Sequence, residues 1–444
     1  MRFMRRPAAG GRPLQPWLPA PTWGDLVAAL AVALLLIPQC LAYAELAGLP
    51  AHVGLVAAAV PPLIAGAFGS SAHLQTGPVA LTSLVTFGAL STVEEPGTTA
   101  YLELAALLAF LVGAVRIVLG LGRMGRLAYL MTPPVVLGFT TGAAIVITAS
   151  QVPSALGVDI EKESVLHEGV AALLDPDAWS AVAIVMAVLT AAVIVFGRRF
   201  GGRRFPGVLI AIGGAIIVAR VTSYDAALVG AIPTDLPIPD PANIPWGRTT
   251  TILLSAIVIA VVDFAEPAAI ARRFADEDDA EWDPSRELGG QGVANVASGL
   301  VGGFPVGGSF SRSSLNRMAG AETRWSGVFA GALVLLFLPL AGVLEDLPRA
   351  ALAATVIVAV YRLIDLPGLW RMARADGIDA TVALFTIGVT MQMEPRVHIA
   401  VLIAIAVAWA VSGLRRLFRS LRRTGSKRPR APGDQPFDRR NASR

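Results

Sequence analysis

The sequence predicts an all-α polytopic membrane protein with about fourteen transmembrane segments. Three observations carry that reading. The 444 residues are 55% hydrophobic and only 15% charged, where a soluble domain usually carries about 25% charge. Mean hydropathy is +0.64. Apolar runs long enough to cross a bilayer recur along nearly the whole chain. The 44 glycines and 31 prolines fit close helix contacts and helix breaks in such a setting.

The same inventory excludes several function classes. Cys40 is the single cysteine, so no internal disulfide or Cys-rich metal centre exists. His52, His73, His167 and His398 share no metal-ligand spacing. No catalytic constellation, cofactor, metal or nucleic-acid partner is expected. The formal charge of +4 sits mostly at the termini and in a few loops, where it bears on topology.

In chain order, the first half reads as spans Gly24–Glu45, Val53–Phe68, Gln75–Ser91, Tyr101–Leu121, Ala128–Gln151, Ala178–Phe196 and Phe205–Val221. The second half reads as Thr249–Ala271, Leu288–Gly303, Ser309–Met318, Trp325–Leu344, Arg349–Leu363, Ile378–Met391 and His398–Leu414. Several are too short or too glycine-rich to span alone. The organisation is then an N-terminal segment 1–22 and a transmembrane domain 23–414 with repeats at about 24–222 and 248–414. A basic tail, 415–444, follows without apolar periodicity and is expected to be disordered.

Loop charge supplies an independent check. With the first helix running outward, Met1–Arg12, Gly122–Arg126, Arg198–Arg204, Arg362–Arg374 and Arg415–Arg423 fall on one side. The opposite loops, such as Glu94–Glu95, Asp159–Glu168, Asp225–Asp240 and Glu345–Asp346, are acidic or neutral. The positive-inside rule puts both termini in the cytoplasm of a cell membrane. The start also resembles a signal peptide, with Ala42-Tyr43-Ala44 as a cleavage site. Pro38 and Gln39 inside its apolar run, and the odd helix count that cleavage would leave, argue against that.

Two short segments begin with helix-start chemistry, each at the third position of its half. In the first, Thr76 and Gly77 precede Pro78 and Val79, and proline suits the first turn of a helix. In the second, a Gly/Pro-broken stretch from Gly303 leads to Ser309, Phe310, Ser311 and Arg312, and Ser309 or Ser311 can cap the helix. The two half-helices run in opposite directions, so their N-termini meet near the bilayer midplane. Each offers unpaired N–H groups and about half a positive charge. Such a pair is an anion site, although Gly/Pro breaks also occur simply to relieve packing.

Charged residues sharpen the site. Arg312 lies one turn into the second half-helix, and an intramembrane arginine faces a cavity or a partner. Its partner would be Glu266, in the apolar helix Val261 to Ile270, just before Pro267. A carboxyl group there is a candidate to exchange protons near neutral pH, so protonating Glu266 would free Arg312 for the anion. Asp263, one turn earlier, is a second ion-coupling candidate. Gln39 and Tyr43, one turn apart after Pro38, either face a substrate or bond to neighbouring helices. Glu45 is expected at the interface. Arg116 is expected to snorkel to the cytoplasmic end of its helix.

At these residues the sequence resembles the SulP (sulfate permease) family. The resemblance rests on Ile37 to Pro50, Phe68-Gly-Ser-Ser71, Thr76-Gly-Pro-Val-Ala80 and Gly303 to Asn316, and it covers roughly Trp23 to Leu414. It implies a uracil-permease-like fold of two inverted seven-helix repeats, working as a homodimer by an elevator-like movement. It also implies a substrate site carried here by Gln39, Tyr43, the Thr76–Val79 turn, Glu266 and Phe310 to Arg312. Most family members carry a STAS domain after the last helix, where this sequence has the basic tail. The expected activity is proton-coupled transport of sulfate or a similar oxyanion. Sodium-coupled bicarbonate uptake, anion exchange and a transport-dead scaffold are the alternatives.

Overall fold

A computed structural model of the chain describes residues 19–126, 131–160, 164–200, 207–222, 224–235, 238, 240–394 and 396–425. The basic N-terminal stretch Met1–Arg12, most of segment 1–22, part of the Arg198–Arg204 loop and the tail from 426 lie outside them.

Helix α1 (Trp23–Leu46) opens with a reciprocal cap: the Thr22 side chain accepts from the Asp25 N–H while the Asp25 side chain accepts from the Thr22 N–H. Its residues Ala42, Tyr43 and Ala44 are buried in the bundle, as a spanning helix requires. Helix α2 (Ala51–Phe68) follows, then a two-residue strand β1 (Thr76–Gly77) and the half-helix α3 (Ala80–Leu90). Next come α4 (Thr99–Leu121) and α5 (Pro133–Leu156), the latter ended by Gly157 in the left-handed conformation at φ 69°. After them lie α6 (Val165–Leu174), α7 (Ala181–Phe200) and α8 (Gly207–Val221).

The second half begins with α9 (Thr249–Val262), which breaks at Asp263–Phe264 and resumes as α10 (Ala265–Glu277). Helix α11 (Pro284–Leu300) starts on an Asp283 cap with proline in its first turn. Strand β2 (Gly307–Gly308) and the half-helix α12 (Phe310–Met318) follow. Helix α13 (Trp325–Phe337) runs into a 3₁₀ turn, Leu338–Leu344. The chain continues through α14 (Arg349–Val360), α15 (Leu366–Ala375), α16 (Gly377–Gln392) and α17 (Val397–Gly425).

Among the described residues, seven helical stretches are long and apolar enough to cross a bilayer alone. With α7, α8, α11, α14, α16 and the two half-helices, they make up the fourteen expected segments. The strands pair antiparallel, Thr76 with Gly308 and Gly77 with Gly307. Because each strand leads directly into its half-helix, α3 and α12 leave the pairing in opposite directions, as two inverted repeats require.

Two groups of helices emerge from the packing. One comprises α1–α4 and α9–α13; the other comprises α5–α8, α14, α16 and α17. They meet where α1 packs on α8 and α14, and where α3 and α9 pack on α17. Glycine brings α4 and α11 together. A β-carbon on Gly292 would stand 2.8 Å from the Ile117 nitrogen, and one on Gly120 would stand 2.9 Å from the Gly289 nitrogen. Exposed apolar faces, such as Val182, Val185, Val188 and Leu189 of α7, point away from the bundle, as lipid contact demands.

Several sequence expectations need correction. Pro78 does not start α3; Val79 takes the cap position and the helix begins two residues after the proline. The eighth span, read as one run Thr249–Ala271, breaks at Asp263–Phe264, before Glu266. Helices α6 and α15 lie outside the expected spans. Both are short, and α15 (sequence LPGLWRMARA) buries no residue at all. Finally, α17 continues through Gly425, beyond the expected end of the last span at Leu414.

Candidate functional site

The paired strands are held from behind by one polar stripe on α11. Glu287, Gln291, Asn295 and Ser298 recur at helical spacing and are all buried. Gln291 Nε2 donates to Thr76 Oγ1 at 2.6 Å. Asn295 closes a reciprocal pair with the Val306 backbone, donating from Nδ2 at 3.0 Å and accepting at Oδ1 at 2.9 Å. Ser298 Oγ donates to the Phe304 carbonyl at 2.7 Å. Glu287 accepts from the Ser70 and Ser71 N–H groups at 2.9 and 2.7 Å. The extended backbone on both sides of the crossing thus finds partners without a continuous helix, which is what allows it inside a bilayer.

The crossing is also tied together directly. The Gln75 N–H donates to Ser313 Oγ at 2.9 Å, and the Ser309 N–H donates to the Gln75 carbonyl at 3.0 Å. Each half-helix therefore starts where the other is anchored. Ser309 caps α12, its hydroxyl accepting from the Arg312 N–H at 3.5 Å, while α3 has no side-chain cap.

Arg312 lies at this junction and is 0% exposed. All three of its guanidinium nitrogens lack a hydrogen-bond partner among the described residues. A β-carbon on Gly77 would stand 3.5 Å from its Nη2. Cys40, Tyr43 and Glu266 lie close enough to interact with its charge. The Phe310 backbone N–H faces the Glu266 carboxyl. Arg312 and Glu266 stand near one another without forming an ion pair, so the guanidinium is not already occupied.

The remaining predicted site residues divide. Gln39 and Tyr43 are buried on α1, which packs against α3 and α12, and Gln39 Oε1 has no partner among the described residues. Thr76 spends its hydroxyl on Gln291. Pro78 and Val79 are buried at the turn. Phe310 is 43% exposed and Ser311 is exposed as well, so the first turn of α12 has one open face, and Arg273 stacks 5.4 Å from the Phe310 ring centroid.

Asp263 has a different setting. Its Oδ2 accepts from Arg116 Nη2 at 2.7 Å, and its Oδ1 accepts from the Thr82 hydroxyl. Arg116 is 0% exposed and does not snorkel. Its helix packs on α11 and α9, and the break between α9 and α10 offers it a carboxylate. Glu45 pairs with Arg349 at 3.4 Å. Sequence reasoning misses the α11 stripe and the role of Arg116. The stripe does leave a signal, as polar residues recurring every turn or so in a glycine-rich span.

Known proteins share this architecture. Residues 22–386 match the sulfate permease family. A probable sulfate transporter of Mycobacterium tuberculosis is 35% identical over 391 residues, covering 87% of this chain and 69% of that protein. The structure of SLC26A9 superposes with a TM-score of 0.80 at 19% identity, over 88% of this chain and 65% of that one. The transmembrane domain of the cyanobacterial bicarbonate transporter BicA gives a TM-score of 0.75 at 22% identity, over 86% and 97%. The chain thus spans about two thirds of the length of the mycobacterial relative and of SLC26A9. These likenesses mark an integral membrane transport protein, not an enzyme. A family match over most of the chain, on a fold with two inverted repeats and a paired-strand crossing, makes this protein a member of the sulfate permease family.

Proposed function

We propose that this chain is a secondary carrier for a small anion, with sulfate or a similar oxyanion as the leading substrate, coupled to protons through Glu266. The observation that carries the reading is Arg312: a fully buried guanidinium with no hydrogen-bond partner among the described residues, set where two opposed helix starts meet. A buried charge without a partner costs several kcal/mol. An anion supplies the missing partner, and the helix N-termini add hydrogen-bond donors and partial positive charge.

Coupling follows from position. The Glu266 carboxyl faces the Phe310 N–H and lies within the electrostatic reach of Arg312. An ionised Glu266 competes with the anion for the same field. Protonation removes that competition, so proton and anion load together. Asp263 is engaged by Arg116 and Thr82, which leaves Glu266 as the carboxylate free to act.

Transport then requires the site to face each side in turn. The helix group carrying both half-helices is read as a core that moves against the second group, the gate, in an elevator-like step. Both termini lie in the cytoplasm in this reading, on the strength of the basic loops. The homodimer rests on family resemblance alone.

The test is uptake of radiolabelled sulfate, bicarbonate and fumarate into proteoliposomes under separately imposed proton and sodium gradients. Sulfate accumulation driven by the proton gradient is expected. No uptake of any of these anions under either gradient would contradict the reading.

A further inference from the structure

The Arg116 guanidinium sits inside a cage of oxygen atoms. Its Nη2 donates to Asp263 Oδ2 at 2.7 Å, its Nη1 to the Val306 carbonyl at 3.2 Å and its Nε to the Ala260 carbonyl at 3.1 Å. The Thr82 hydroxyl donates to the other Asp263 oxygen. Ala260 lies in the last turn of α9, where carbonyls lose their helical partners, and Val306 lies in the extended approach to β2. Gly307 closes the cage: a β-carbon there would stand 2.9 Å from Asp263 Oδ2 and 3.0 Å from Thr82 Oγ1.

A carboxylate, two backbone carbonyls released by broken structure and a hydroxyl are the donors a hard monovalent cation takes inside a membrane. Here arginine occupies them. We propose that Arg116 is a built-in cation, tethered to α4 in a site that would otherwise accept a free one such as sodium. The guanidinium is tethered to α4 and cannot leave, so Asp263 keeps its counter-charge at 2.7 Å through the whole cycle. Asp263 is therefore a positioning residue. With Arg116 it fixes α3, α4, the α9 break and the approach to β2 at one point, which holds the two half-helix starts in register. Sodium then has no role at this position, and coupling is left to Glu266. That last consequence rests on the transport reading above; the filled cation site does not.

The experiment uses the full chain, purified in detergent and in proteoliposomes, with sodium, guanidinium or choline chloride at equal ionic strength. Wild-type protein should unfold at the same temperature in sodium and choline, and should take up anion equally in both. Arg116→Ala should unfold at a lower temperature, and millimolar guanidinium or sodium should raise it where choline does not. Wild-type uptake several-fold faster in sodium would overturn the proposal. So would an Arg116→Ala protein indifferent to all three cations. Should Arg116→Ala alone not be recovered folded, the double variant Arg116→Gln with Asp263→Asn should be recovered, because no uncompensated charge remains. Its failure would also overturn the proposal. The unfolding readout needs no transport, so loss of this proposal and loss of the transport reading can be told apart.

Discussion

Gly77 and Arg312 meet across the paired strands: a β-carbon on Gly77 would stand 3.5 Å from Arg312 Nη2, and Gly77 itself has φ +148°. The start of one half-helix is thus the floor on which the charge of the other rests. Only glycine combines that backbone conformation with so open an approach.

Gly77→Val should therefore obstruct the anion and strain the turn at once. Sulfate uptake in proteoliposomes is expected to show an apparent KM raised about tenfold or more, equivalent to about 1.4 kcal/mol of binding. An unchanged KM would remove Gly77 from the site.

The two fully buried arginines, Arg116 and Arg312, should respond oppositely to removal. Arg312 has no hydrogen-bond partner among the described residues, so Arg312→Met relieves a desolvated charge and should leave thermal stability equal or higher. Arg116→Met strands Asp263 and should cost about 3–5 kcal/mol. Parallel unfolding curves in detergent check the contrast, and an equal loss in both variants would contradict it.

Glu266→Gln should bind anion but lose concentrative uptake driven by a proton gradient, because the amide cannot release a proton. Counterflow exchange should persist. Proteoliposome uptake with and without an imposed pH difference measures this, and undiminished accumulation would exclude Glu266 as the coupling group.

Much of this arrangement is legible in the amino-acid sequence alone. Hydropathy locates the spans, since each must be apolar along its length. The half-helices show as Thr76-Gly77-Pro78 and Gly303 to Arg312 because glycine, proline and a capping serine cluster there, at the third position of each half. Arg116 escapes such a reading because sequence gives its depth in α4 but not its neighbours. Its partner Asp263 lies at a helix break remote in sequence, and the glycine seam between α4 and α11 is a property of packing. The strand pairing is invisible for a similar reason: two residues per strand carry no periodicity. Helix α15 reads as a basic loop because its arginines, Arg371 and Arg374, dominate so short a stretch.

That glycine seam makes a separate prediction. Gly292 packs against the α4 backbone, where a β-carbon would lie 2.9 Å from the Gly113 carbonyl oxygen. Gly292→Val should force α11 off α4 and misplace Gln291 and Asn295. A loss of about 1–3 kcal/mol is expected, with uptake lost in parallel. A variant of unaltered unfolding temperature would show that the close approach is dispensable.

The most direct test is equilibrium binding of radiolabelled sulfate to the purified chain, wild type against Arg312→Met, with bicarbonate and fumarate as competitors. Saturable binding to the wild type, absent from a variant that unfolds at the same temperature or higher, is the predicted result. Equal binding to both proteins would contradict the assignment of Arg312 to the anion.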